Sequence, residues 1–174
     1  IDDFELSRVS EAGGSAVRVS SAGFPINYGR VLPDGKSVFV TSRSRGVSGD
    51  HSDVRLMDLA TQEVRTLLTG GYDARYVAPG HIVFSRGGEL YAAGFDLERR
   101  LVRGQPVRIV SGVRMDSLFL HSQVAVSSHG ILAFVPGGDA TKGKLAWVDR
   151  QGRSEFLPLE ERVWNAVELS PDGQ

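Results

Sequence analysis

Short apolar runs separated by polar, glycine-bearing turns recur along the whole chain. Val38-Phe39-Val40, Ile82-Val83-Phe84 and Leu132-Ala133-Phe134 each follow a turn glycine, at Gly35, Gly80 and Gly130. After each run comes a loop and a second strand that ends near an aspartate: "VRLMD" to Asp58, "ELYAAGFD" to Asp96 and "KLAWVD" to Asp149. A polar turn then leads to "EVRTLLTGG", "QPVRIVSGV" or "SEFLPLEE". These runs are rich in Val, Ile, Leu, Phe and Tyr, and near-continuous apolar character predicts strands buried on both faces. No stretch sustains a 3.6-residue apolar stripe. The best helical candidate, "DLERRLVRG", has apolar residues only at 97, 101 and 102 and lies between strand signals, which predicts a hairpin turn.

The same landmarks define an internal repeat. Gly173, in the closing "ELSPDGQ", continues the series of turn glycines, whose spacings are 45, 50 and 43 residues. Val-Arg recurs at 17, 64 and 107, marking one strand in three copies. Four strands in about 40–45 residues is the arithmetic of a propeller blade. The pattern predicts an all-β chain, a β-propeller segment of four-stranded antiparallel blades. It sets complete blades at about 26–70, 72–112 and 120–160, a partial blade at 1–20 and the start of another at 163–174. A first residue other than Met and an unfinished last blade are expected of an excerpt from a longer propeller.

"LPDGKSVFVTSRSRG", followed by "DVRLMDLATQEVRTLLTGG", resembles the TolB-like repeat, also called the WD40-like or PD40 propeller repeat. Pro33-Asp34-Gly35, Phe39, Ser42, Asp53, Asp58, Leu68 and Thr69 match its pattern, as do Ser170 to Gly173. The middle copies depart from it: no Asp precedes Gly80, and His129 replaces it before Gly130. The run from "GYDARYVAPGHIVFSRGGELYAAGFD" through "KLAWVDRQGRSEFLPL", residues 71–159, is also similar to propeller segments that follow bacterial serine/threonine kinase domains. The resemblance implies a propeller, and an extracytoplasmic or periplasmic setting. It does not choose among the kinases, peptidases and secretion components beside which such repeats sit.

Composition narrows the partners. With 20 basic and 21 acidic residues and a pI near 6.5, charge gives no reason to expect nucleic acid. No apolar run approaches the roughly 18 residues of a membrane span. Zero cysteines excludes disulfides and cysteine-ligated zinc.

Candidate chemistry is sparse. "GDATKGKL" approaches a phosphate-binding loop, but Leu145 stands where a magnesium-binding hydroxyl is needed, and "LAWVD" reads as a strand rather than a helix. Asp50 and Asp53, flanking His51 in "SGDHSD", are the one weak metal candidate, against the simpler reading of a polar turn. No G-x-S-x-G elbow or zinc-ligand histidine spacing occurs. No cofactor is expected.

These observations predict a non-catalytic propeller segment that binds a protein or peptide, or acts as a scaffold. The alternative is the propeller portion of a larger enzyme or kinase-linked sensor. Binding is expected on the loop-bearing rim, at Arg43, Asp50, His51, Tyr72, Asp116, His121, Lys142 and Trp164. An open arc of blades would expose strand edges and an apolar face. Two closures answer this: the strands at the two ends of the chain pair into a composite blade, or two copies meet as a homodimer completing a ring of about eight blades, and self-association is expected.

Overall fold

The computed structural model describes residues 6–19, 24–43, 51–116, 119–127, 131–138, 142–148, 151 and 153–163. Every regular element among them is a β-strand. A first antiparallel sheet holds β3 (Ile26–Val31), β4 (Ser37–Arg43), β5 (Ser52–Asp58) and β6 (Val64–Thr69), in that order. A second holds β7 (Tyr72–Val77), β8 (His81–Arg86), β9 (Glu89–Asp96) and β10 (Leu101–Ser111), again as a simple meander.

The apolar runs become strands because both faces of each sheet are covered. In β4, Val38 and Val40 face one way with Met57 and Ile26, while Phe39 faces the other with Leu32, Val54 and Leu56. The Phe39 side meets Ala74, Ile82, Phe84, Ala93 and Phe95 of the second sheet. Edge-to-face contact between Phe39 and Phe95, centroids 5.2 Å apart, closes that layer. The far side of the second sheet, with Val77, Val83 and Leu90, packs on Val113, Met115 and Leu120, then on Val124, Val126 and Leu132. On the near side of the first sheet lies a hairpin of β1 (Ser7–Arg8) and β2 (Val17–Arg18), whose Leu6 packs on the Ile26–Val38–Val40–Met57 cluster. Units thus stack face to face in chain order, which is the packing of propeller blades.

The third unit differs from the first two. Its described residues form separate hairpins: β11 (Met115–Asp116) with β12 (His121–Ser122), β13 (Val124–Val126) with β14 (Leu132–Phe134), and β16 (Ala146–Val148) with β17 (Ser154–Phe156). In addition β15 (Lys142–Gly143) pairs with β18 (Arg162–Val163).

Turns carry the polar signature. In the Pro33-Asp34-Gly35 turn, Gly35 takes φ +62°, and the Asp34 carboxylate accepts the Lys36 and Ser37 N–H groups at 2.9 Å and the Ser37 hydroxyl at 2.8 Å. Asp58 accepts N–H groups of Ala60 and Thr61, and Asp96 that of Arg99, closing the β5–β6 and β9–β10 turns. "DLERR" is therefore the hairpin turn its pattern predicts. Gly87 and Gly88, both at positive φ, form the two-residue link between β8 and β9. Gly137 and Gly138 do not make such a tight link. Their N–H groups instead donate to Gly112 O, and Gly138 O accepts from Met115.

Candidate functional site

Three innermost strands converge: β3 of the first blade, β7 of the second and β13 of the third unit. Among the described residues each is hydrogen-bonded along one edge, to β4, β8 and β14 respectively. Between them lies an open groove of 550 Å³ walled by Arg30, Val31, Pro33, Arg75, Tyr76 and Val124–Val126. Val31 is 66% exposed, so apolar surface is available in it.

Behind two of the groove's residues, Arg30 and Arg75, lies Asp73, whose side chain is wholly buried. It follows Tyr72 at a bulge in the β7–β8 ladder and adopts φ +49°, a left-handed conformation uncommon outside glycine. That backbone sends its carboxylate to three units at once. Arg30 of the first blade donates through Nε and Nη2 to Oδ1, at 3.3 and 3.1 Å. Arg75 of the same strand donates to Oδ2 at 2.8 Å. Ser122 of the third unit donates its N–H at 3.0 Å and its hydroxyl at 2.6 Å, also to Oδ2. Asp73 N–H in turn donates to Thr41 Oγ1 on the first blade. Arg75 also donates to the carbonyls of Ser122 and Val124. Burial pushes the Asp73 carboxyl up, but the Arg75 guanidinium and the Ser122 bonds outweigh it and hold the group below the ordinary range.

Next to this junction Tyr28 and His121 bring their rings to 5.6 Å, joining first blade to third unit. Burial, with the negative charges of Asp73 and Asp116, pushes the Tyr28 hydroxyl up. His121 pairs with Asp116 across β11–β12.

A second charged junction occupies the opposite ends of the blades. Arg100, in the β9–β10 turn, bridges Asp58 at 2.6 Å and Asp34 at 3.4 Å, and its carbonyl accepts from Arg65. The Asp58 carboxyl is held down to about 2, by the Thr61 N–H first and the Arg100 bond next. Both junctions use one side chain to satisfy turn or strand groups on a neighbouring blade.

The rim residues expected from sequence are dispersed among these features. Asp116 and His121 come together, joined by Tyr28, which sequence reasoning missed. Arg43 ends β4 opposite Ser52, beside exposed His51. Lys142 is exposed and pairs with Val163. Tyr72 is a correction: it is 2% exposed, packs in the core and donates its hydroxyl to Met115 Sδ at 3.0 Å. The sequence pattern puts Tyr72 in a loop between blades, whereas it opens β7, with its ring in the cluster of Val77, Val83, Leu90 and Met115. Asp50 and Trp164 lie outside the described residues. Asp53, the other weak metal candidate, pairs with Arg55 at 3.6 Å, and no cluster of three metal-ligating side chains occurs among the described residues. Of the missed residues Arg30, Asp73, Arg75 and Ser122, only Arg30 and Arg75 carried a signal, since both stand five residues before the turn glycines Gly35 and Gly80.

Among solved structures the chain is similar to TolB from Acinetobacter baumannii, with 22% identity and a TM-score of 0.48. The match covers 98% of this chain and 44% of that one, so this chain spans less than half of that protein's length. No family model matches the chain, and no curated protein matches it.

Proposed function

We propose that the chain is a non-catalytic β-propeller segment that binds an extended protein or peptide segment where its inner strands meet. The groove between β3, β7 and β13 carries this reading. It offers strand edges for main-chain hydrogen bonds, apolar Val31, Pro33 and Val126 for side chains, and two arginines for orientation. The rim residues Arg43, His51, Asp116, His121 and Lys142 extend the contact surface at the blade ends. The carboxylates with shifted values are fasteners that hold neighbouring groups rather than candidates for a general acid. Asp34, Asp58, Asp73, Glu89 and Asp96 are all driven toward the ionised form, whereas a general acid at neutral pH needs a raised carboxyl.

Self-association belongs to the same reading. Ile131, Val135 and Phe156 of the third unit are 71%, 46% and 65% exposed, and apolar surface of this kind favours contact with a second copy.

The test is a fluorescence-polarisation screen of extended peptides against the chain, repeated with Val31→Glu in the groove and Arg43→Ala/His51→Ala on the rim. Binding weakened about tenfold by Val31→Glu, a loss of about 1.4 kcal/mol, is expected. Peptides that bind the Val31→Glu variant as tightly as the parent would count against the groove. No binding by any peptide at millimolar concentration would remove the proposal.

A further inference from the structure

We propose that Asp73 is a positioning residue, whose carboxylate couples the first blade to the third unit and so sets the spacing of the groove walls, Arg30 against Val124–Val126, and the Tyr28–His121 contact nearby. The inference rests on the reading of that groove as the binding site, but its test does not require a ligand. Arg30 and Ser122 come from different units and both end on this one side chain, Arg30 on Oδ1 and Ser122 on Oδ2. Arg75, from the strand between them, closes the arrangement by holding both Oδ2 and the carbonyls of Ser122 and Val124.

Two further observations point to a specific role. Asp73 keeps a left-handed φ of +49° that an L side chain rarely adopts, and such strain persists where the surroundings over-determine it. Ser122 directly follows His121 in β12, whose ring lies against Tyr28. Releasing Ser122 from the carboxylate frees the strand that carries His121. Among the described residues β12 pairs only with the two-residue β11, so the bonds from Ser122 to Asp73 and Arg75 are a large share of what ties it to the second blade.

Three variants separate carboxylate from backbone. Asp73→Asn keeps a residue that tolerates left-handed φ but removes the charge. Asp73→Gly relaxes the backbone and removes the whole side chain. Ser122→Ala removes one hydroxyl and leaves Asp73 intact. Amide hydrogen exchange is compared between residues 113–126 and the central strands β4 and β8. All three variants are expected to lose protection in 113–126, about tenfold or more for Asp73→Asn, with β4 and β8 retained.

A double-mutant cycle of Arg30→Met and Ser122→Ala should be non-additive in the parent and additive in the Asp73→Asn background. Unchanged protection, equal loss in all strands, or tolerance of Asp73→Gly alone would overturn the proposal. So would coupling that survives Asp73→Asn. Failure of the peptide screen leaves these outcomes readable, so the two proposals fall separately.

Discussion

At the residue scale, charged side chains in this chain act mainly as fasteners. Asp34 and Asp58 close their own turns and then take Arg100 from the next blade, while Asp73 gathers groups from three units. This makes stability depend on carboxylate ionisation in a definite direction. The folded-state values of Asp34, Asp58, Asp73, Glu89 and Asp96 are lowered from 3.8 for aspartate and 4.5 for glutamate. A lowered folded value means the unfolded chain binds protons first. The stabilisation is therefore complete above the unfolded values and lost as pH falls through the folded ones, near 2 for Asp58. Urea midpoints measured from pH 6 to pH 2 should fall steeply below about pH 4.5. A flat profile would show these pairs to be energetically idle.

At the element scale, strand and turn were written legibly, and the inner-strand polar groups were not. The glycine turns, the aromatic second strands and the closing aspartates each serve one local purpose, so a repeat of local motifs announces them. Asp73 has no such local motif. Its meaning depends on Arg30, 43 residues earlier, and Ser122, 49 residues later. Tyr72 was misplaced for the same reason, since its ring packs with Leu90 and Met115, distant in sequence, rather than with its neighbours. Glycines show the contrast in energetic terms. A Cβ at Gly71 would lie 2.8 Å from Phe84 Cδ2 in the wholly buried inter-blade layer, whereas Gly35 has open space but a φ of +62°. Gly71→Ala should cost about 1–3 kcal/mol by overpacking. Gly35→Ala should cost about 1–2 kcal/mol through its backbone alone. Urea unfolding of the two variants checks both, and a neutral Gly71→Ala would mean that the Phe84 ring yields at no cost beside the start of β7.

At the scale of the whole molecule, the fold is a sequence of layers, each buried on a face by the next. The apolar cluster between the two complete sheets contains nine buried residues, drawn about equally from both, so the layer that joins them belongs to neither sheet alone. Cooperativity must therefore run through the stack, as in other repeat architectures. The exposed Ile131, Val135 and Phe156 make the third unit the expected point of association. Sedimentation should give a mass rising with concentration, reduced by Ile131→Glu/Val135→Glu, and a monomer at all concentrations would refute association.

The central claim is that units stacked in chain order bring the inner strands of the first and third units together, with β12, one residue ahead of β13, lying against β3. The absence of cysteine permits a clean test, a Tyr28→Cys/His121→Cys variant treated with a short bifunctional maleimide at low protein concentration. Tyr28 and His121 are 93 residues apart in sequence, yet their rings are 5.6 Å apart in the fold. Rapid intramolecular cross-linking, giving a monomeric species whose bridge maps to residues 28 and 121, is the result expected. A bridge formed only between molecules, or only after denaturation, would contradict the convergence of inner strands on which the groove and its proposed function stand.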